Sequence, residues 1–146
     1  MSVARRKPAL RFDPDTTGTA RRGFDATRVW VFDLDNTLYP SACNLFAEVD
    51  QRMGAFIAQH LDLPLEHARY LQKRYYHDYG TTLTGLIKLH KVDPHAFLEF
   101  VHDIDLGPLC AAPALADALA ALPGRRIIFT NGSRRHAERV AEKLGV

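Results

Sequence analysis

Two short apolar runs in the chain end abruptly in polar residues. Residues 29–32 form a continuous β-branched and aromatic run, which acids, Asn, Thr and Pro follow over 33–40. Residues 126–130 repeat this order and end in Asn131-Gly132-Ser133. Continuous apolar runs of this length are typical of strands that are buried on both faces of a sheet. The pattern therefore predicts two buried strands, each leading into a polar loop.

The stretch between these runs has the period of helices. Apolar residues recur every three or four positions over 44–61, and Pro64 suits the first turn of a second helix that runs towards Gly80. A short helix is predicted over 82–90. Asp93-Pro94 then predicts the N-cap and first turn of a fourth helix.

Two further helices are predicted near the end of the chain. The Ala-rich residues 113–120 should form a helix that Pro123-Gly124 ends. Ser133 can cap a last helix, and Gly145 is placed to terminate it.

The distance between the two strands predicts an insertion. A parallel β-α-β unit needs about 30 residues, but Asp33 and Thr130 lie 97 positions apart. If residues 113–120 form the crossover helix, residues 40–109 are a separate helical module. A right-handed crossover makes the strands parallel, so both polar ends lie at one edge of an α/β sheet, where ligands bind. We expect the helical module to cover that edge as a lid.

The composition is that of an ordinary globular domain of 146 residues. The two cysteines are too few for a disulfide framework or a zinc knuckle, which fits a reducing cytosol. The chain has no secretory signal segment and no apolar run of membrane-spanning length. We expect a cytoplasmic protein with no membrane partner.

The positive charge is concentrated at the N-terminus. Residues 1–28 hold seven of the 19 basic residues and three of the 17 acidic ones, so this segment carries +4 and the rest of the chain −2. Residues 1–27 have no apolar periodicity and are predicted to form a disordered leader. The alternatives are a nucleic-acid-binding arm or an organelle address, but we favour a solvated tail and expect no nucleic-acid partner.

Asp33 and Asp35 are the first candidates for chemistry. Side chains two apart on an extended segment point the same way, so the two carboxylates should share one small space. Such a pair implies a hard divalent cation or a shared proton. A calcium loop fits poorly, because it would need Gly where Leu38 stands and Glu where Asn44 stands. A strand-end turn without chemistry is the alternative.

Thr130-Asn131-Gly132 forms the second candidate constellation. A hydroxyl, a carboxamide and backbone amides at a helix N-terminus can hold a phosphate dianion. The same residues would also suit a simple turn with a helix cap. Their predicted position opposite Asp33 and Asp35 favours phosphate binding.

The residues around the acidic pair resemble a known family. Phe32-Asp33-Leu34-Asp35-Asn36-Thr37 is similar to the first motif, hydrophobic-Asp-x-Asp-x-Thr, of the haloacid dehalogenase-like (HAD) phosphohydrolases. Asn36 with Leu-Tyr-Pro following, and Tyr-Gly-Thr-Thr-Leu-x-Gly-Leu at 79–86, are similar to the pyrimidine 5′-nucleotidase branch. The resemblance implies a Rossmann-like core with a helical cap. It also implies that Asp33 is the nucleophile, that Asp35 is the general acid and base, and that the cofactor is Mg²⁺, bound by Asp33 and by the backbone carbonyl of Asp35. Thr130, Asn131 and Gly132 would bind phosphate.

Substrate choice is expected to come from the cap. Residues 73–86 combine three tyrosines, two cations and a Gly-bounded turn, and aromatic rings stack on bases. We predict a substrate contact at one or more of four residues: Tyr76, Tyr79, Gly80 and Thr81. The alternative is that the tyrosines form a buried helix face. No histidine lies at a metal-ligand spacing from another His or Cys, so all seven are predicted to be surface or packing residues.

The sequence therefore predicts a Mg²⁺-dependent phosphomonoester hydrolase for pyrimidine nucleoside monophosphates such as UMP and CMP. Its predicted parts are the leader 1–27, a catalytic core of 28–39 and 110–146, and the cap 40–109. One alternative is a phosphatase for another small ester. A second alternative is a receiver-like domain, which the long insertion disfavours. A third is a non-catalytic binding fragment with a basic arm.

The sequence also raises an expectation about completeness. The resembled family uses a later Lys and a later acidic strand end, and neither is identifiable in the 16 residues after Thr130. A two-stranded sheet is marginal on its own. We expect the chain to be a truncated N-terminal portion, poorly stable, with uncovered sheet faces and no catalysis by itself.

Overall fold

The computed structural model describes residues 23, 24 and 26–146. Almost all of the predicted leader lies outside these residues. The described part has an α/β architecture, as predicted. Its elements in chain order are β1 (Val29–Phe32), a short 3-10 helix (Ser41–Cys43), α1 (Leu45–Leu61), α2 (Leu65–Tyr79), α3 (Thr82–His90), α4 (Pro94–Val101), α5 (Pro113–Ala120), β2 (Arg125–Ile128) and α6 (Arg134–Leu144).

The predicted helix boundaries agree closely with the structure because local caps determine them. Asp93 Oδ1 accepts a hydrogen bond from the His95 amide at 3.0 Å, with Pro94 in the first turn of α4. Ser133 Oγ likewise accepts from the His136 amide at 3.1 Å. Gly145 ends α6 at φ +79°, a left-handed conformation that glycine adopts without steric cost.

The two strands pair in parallel, which confirms the topology predicted from the insertion. Val29 is opposite Arg125 and Phe32 is opposite Ile128. The Phe129 amide extends the ladder by donating to the Phe32 carbonyl at 2.8 Å. Asp33 and Thr130 therefore leave the sheet at the same edge.

Only one face of the sheet is packed by described residues, so the prediction of strands buried on both faces is wrong for this part of the chain. Phe32 and Ile128 pack against the buried core. On the other face Val31 is 63% exposed, and beyond the end of β2 Phe129 is 74% exposed. The expectation of uncovered apolar sheet faces is confirmed for the residues described.

Helices α1–α4 pack on one another into a helical layer. Their shared core is apolar and fully or almost fully buried: Leu45, Val49, Ile57, Ala68, Leu86, Phe97 and Val101. Gly85 permits α3 to approach α2, because a Cβ at this position would lie 2.6 Å from Tyr75 Cβ. No helix in the described part is both long and apolar enough to cross a bilayer.

Candidate active site

A tight turn after β1 presents the two predicted acids. The Leu38 amide donates to the Leu34 carbonyl at 3.0 Å, and Asn36 takes the left-handed conformation that Asn tolerates better than most residues. Leu34, between the two acids, is completely buried, because successive side chains of an extended segment point to opposite sides. The buried Leu34 anchors the turn between Asp33 and Asp35.

Asp33 lies at the exposed side of this turn. Its Oδ2 accepts a hydrogen bond from Thr37 Oγ1 at 3.0 Å. This bond orients the carboxylate, and the exposure leaves it accessible to a ligand. An accessible, oriented carboxylate can act as a nucleophile or bind a cation.

Asp35 is more enclosed and receives three hydrogen bonds. Tyr39 Oη donates to Oδ1 at 2.7 Å, and His136 Nε2 contacts the same oxygen at 3.3 Å. Thr130 Oγ1 lies 3.4 Å from Oδ2. The site therefore joins the turn after β1 to the loop after β2 and to α6.

These contacts determine the charge state of Asp35. Burial raises the pKa of its carboxyl, but the hydrogen bonds from His136 and Tyr39 and the nearby histidine charges lower it more, so the net pKa lies below the ordinary value. Burial and the bond to Asp35 raise the pKa of Tyr39, which keeps its hydroxyl protonated as a donor. Asp35 is therefore ionised in the ligand-free site.

The predicted phosphate-binding residues follow β2 and lie next to Asp35. The Gly132 amide donates to Thr130 Oγ1 at 3.0 Å, a hydrogen bond within the loop that follows β2. Asn131 and Gly132 both line a cavity that also reaches Asp35.

The cavity, of about 470 Å³, lies between the helical layer and the strand ends. Two of the four predicted cap residues, Tyr76 and Thr81, line it. Thr81 Oγ1 also accepts from the Thr84 amide as the N-cap of α3. Further lining residues from the helical layer include Phe46, Asp50, Met53, Gln72, Lys73, Leu83, Phe97 and His102.

The other two predicted cap residues have structural roles. Tyr79 packs edge-on against Tyr75, with ring centroids 6.1 Å apart, and lies under Lys88 Nζ. Gly80 ends α2 at φ +82°. Neither residue lines the cavity, so the alternative of a packed helix face describes Tyr79 better than a substrate contact does.

Several cavity and site residues were not predicted. His136, only 1% exposed, contacts Asp35, and His102 stacks on it with centroids 4.4 Å apart. His136 is thus a buried packing residue, as was predicted for the histidines, but its contact with Asp35 was not predicted. One signal was available, because His136 follows the Ser133 cap by three residues and so begins the helix next to the phosphate-binding loop.

The described side chains offer few ligands for a metal. They contain no group of three or more His, Cys, Asp or Glu residues arranged to hold an ion. Both oxygens of the Asp35 carboxylate are already hydrogen-bonded, so its side chain is a poor metal ligand, which suits the metal contact through its backbone carbonyl that the family resemblance implies. Asp33 is accessible and fits an ion such as Mg²⁺, which keeps several waters and commonly binds one or two carboxylates together with a substrate phosphate.

Comparison with known proteins agrees with this geometry. Residues 27–146 match the haloacid dehalogenase-like hydrolase family. The chain belongs to this family. The match spans both strands, the helical layer and the candidate site. It supports the family resemblance of the first motif, and it covers most of the chain.

One relative is Phosphate metabolism protein 8 of Saccharomyces cerevisiae. It is 28% identical to this chain over 131 residues. The aligned region covers 83% of this chain and 41% of the relative. The chain therefore spans about two fifths of the length of this relative.

Proposed function

We propose that this chain carries the nucleophile and the acid–base residue of a Mg²⁺-dependent phosphomonoester hydrolase. The observation that carries the proposal is the meeting of Asp33, Asp35 and the loop at Thr130 at one edge of a parallel sheet, beside a cavity. Family membership supports a hydrolase. We further propose a catalytic core of 28–39 and 110–146 with residues 40–109 as its cap.

In the first step, a carboxylate oxygen of Asp33 attacks phosphorus and the bond from phosphorus to the ester oxygen breaks. The leaving alkoxide takes a proton from Asp35. The product on the protein is an aspartyl-phosphate at Asp33. Thr37, which hydrogen-bonds Asp33, orients the attacking carboxylate.

The second step uses Asp35 as a base. Its carboxylate takes a proton from water, the resulting hydroxide attacks phosphorus, and the bond to Asp33 breaks to release inorganic phosphate. The ionised state of Asp35 in the ligand-free site suits this step. For the first step Asp35 must be protonated, and the approach of a phosphate dianion favours this because a nearby negative charge raises the pKa of a carboxyl.

We propose that Asp33 binds Mg²⁺ and that Asp35 contributes through its backbone rather than its carboxylate. The ion would offset the repulsion between a phosphate dianion and two carboxylates. The loop of Thr130, Asn131 and Gly132 would hold the phosphoryl oxygens. This requires the Gly132 amide to turn from Thr130 to the ligand.

We propose pyrimidine nucleoside monophosphates as the substrates. The cavity next to Asp35 has two aromatic residues in its lining that are exposed to solvent, Tyr76 at 65% and Phe46 at 47%. Aromatic faces stack on bases, and such stacking contributes about 1–3 kcal/mol per base. Thr81, at the start of α3, offers a polar group in the same lining.

A substrate panel tests this proposal in the full gene product. With Mg²⁺ present, we expect kcat/KM for UMP and CMP to exceed that for glycerol 3-phosphate by roughly tenfold or more, the size of one stacking contact. Equal kcat/KM for the nucleotides and glycerol 3-phosphate would show that the phosphatase does not select for a base. No hydrolysis of any ester would refute the proposed activity.

A further inference from the structure

His102 lies where the cap meets the core. It is the C-cap residue of α4, and its ring stacks on His136 of α6 with an interplanar angle of 25°. Arg139 of α6 donates to the His102 carbonyl at 3.2 Å. The residue is thus held by contacts from both α4 and α6 and is 9% exposed.

The hydrogen bonding of His102 determines its tautomer. Nδ1 lies 2.9 Å from the Leu98 carbonyl oxygen. A carbonyl oxygen only accepts, so Nδ1 carries the proton and Nε2 carries a lone pair. Burial, together with the charge of His136, lowers the pKa of His102 to about 4. The ring is therefore neutral near pH 7, and Nε2 is an acceptor.

The acceptor lies next to Gly132, which also lines the cavity. His102 lines it together with Asp35 and Asn131, and no described residue hydrogen-bonds Nε2. Gly132 keeps the space clear, because a Cβ at this position would lie 3.4 Å from His102 Nε2 and 3.2 Å from His136 Cδ2. A group bound in this space would contact the phosphate-binding loop and the imidazole together.

The chemistry of Nε2 defines the group that it can recognise. A lone pair repels phosphate oxygens and carbonyl oxygens, whereas an O–H donor satisfies it. The alcohol part of a phosphate ester must lie next to the phosphoryl group. A sugar or polyol carries further hydroxyls there, and a simple alkyl group carries none.

We propose that His102 is a specificity-determining residue, whose Nε2 accepts a hydrogen bond from a hydroxyl of the substrate's alcohol part and so selects polyhydroxy phosphate esters. This proposal rests on the phosphatase function proposed above. It adds a contact from the cap that the tyrosines and Thr81 do not supply.

The test compares matched substrates in the full gene product. UMP is paired with its 2′,3′-dideoxy analogue, and glycerol 3-phosphate with n-propyl phosphate. For wild type we expect the ratio of kcat/KM for the hydroxylated member to kcat/KM for the other member to exceed one in at least one pair. His102→Phe keeps an aromatic ring for the stack but removes the acceptor. It should reduce this ratio about fivefold to tenfold, the size of one neutral hydrogen bond.

Further variants separate recognition from folding. His102→Asn can keep a donor for the Leu98 carbonyl while losing the acceptor at Nε2, so it should reduce the ratio as His102→Phe does. His102→Gln can place an oxygen near the position of Nε2 and should restore part of it. His95→Phe, the same change at an exposed residue of the same helix, should leave both members of each pair unchanged.

The outcomes are distinct. The proposal is supported if His102→Phe and His102→Asn lower kcat/KM only for the hydroxylated substrates and His102→Gln recovers part of that loss. The proposal is overturned if the variants lower kcat/KM equally for both members of each pair, or if wild type hydrolyses both members of both pairs with equal kcat/KM. In either case the phosphatase function stands. Absence of hydrolysis of all four esters by wild type would remove the proposed function itself.

Discussion

The proposed acid–base residue, Asp35, depends on partners that are far from it in sequence. Asp35 could be predicted from its position two residues after Asp33, because alternation along a strand is a local property. His136, which contacts it, lies 101 positions later. Only the parallel pairing of the strands brings the two together. The charge state of Asp35 could therefore not be predicted from its neighbours in sequence.

At the residue scale, His102 should make the fold sensitive to acid. Its pKa is about 4 in the folded chain and about 6.5 in the unfolded chain. Above pH 6.5 both states are neutral. Between pH 6.5 and 4 the unfolded state binds a proton that the folded state does not. Acidification therefore lowers the free energy of unfolding by about 1.4 kcal/mol per pH unit in this window.

Urea-induced unfolding of the full gene product at pH 7.5 and pH 5.0 measures the effect. We expect the free energy of unfolding to fall by roughly 2 kcal/mol on acidification. His102→Gln should largely abolish this decrease because it removes the titrating group. His95→Gln, at an exposed site on the same helix, should keep the wild-type loss. An identical pH dependence in wild type and His102→Gln would contradict the assigned state of His102.

At the element scale, the helices were predictable and the sheet environment was not. The caps Asp93 and Ser133 are local in sequence, and their hydrogen bonds are present in the structure. Burial of a strand depends on what covers its face. Val31 belongs to an apolar run but is mostly exposed, because no described element buries that face. The sequence pattern alone therefore cannot distinguish a strand that is covered on both faces from a strand with one exposed face.

The helical layer provides a matched pair of tyrosines for a specificity test. Tyr76 lines the cavity, whereas Tyr79 packs on Tyr75 and Lys88. Tyr76→Ala should lower kcat/KM for UMP by roughly tenfold, the size of one base-stacking contact, and leave p-nitrophenyl phosphate nearly unchanged. Tyr79→Ala should instead lower stability by about 1–3 kcal/mol and affect both substrates alike.

Steady-state kinetics on the two substrates, with thermal unfolding of each variant, distinguish these roles. If Tyr76→Ala reduced hydrolysis of both substrates equally, Tyr76 would be scaffold. If Tyr79→Ala selectively changed nucleotide preference, the assignment of Tyr79 to packing would fail.

At the scale of the whole molecule, the proposed function depends on where the helical layer meets the ends of the two strands. The separation of 97 residues between Asp33 and Thr130 was enough to predict an insertion and parallel strands. It could not predict which inserted side chains reach the strand ends. His102, Lys73 and Phe46 reach the cavity through helix packing, which depends on how α1–α4 dock rather than on any local motif.

The central claim is that Asp33 becomes phosphorylated during turnover. Sodium borohydride reduces an aspartyl-phosphate to homoserine, which mass spectrometry can locate. The full gene product is mixed with a hydrolysed ester and Mg²⁺, quenched with borohydride during turnover, and digested. Asp33→Asn and Asp117→Asn, the latter at an exposed acid of α5, are treated in parallel.

We predict homoserine at position 33, formed only with both ester and Mg²⁺ and absent in excess EDTA. Asp33→Asn should retain less than about a hundredth of wild-type turnover, because a required nucleophile is lost, while Asp117→Asn should behave as wild type. Hydrolysis at the wild-type rate with residue 33 unmodified, or homoserine at another acid in its place, would contradict the assignment of Asp33 as the nucleophile.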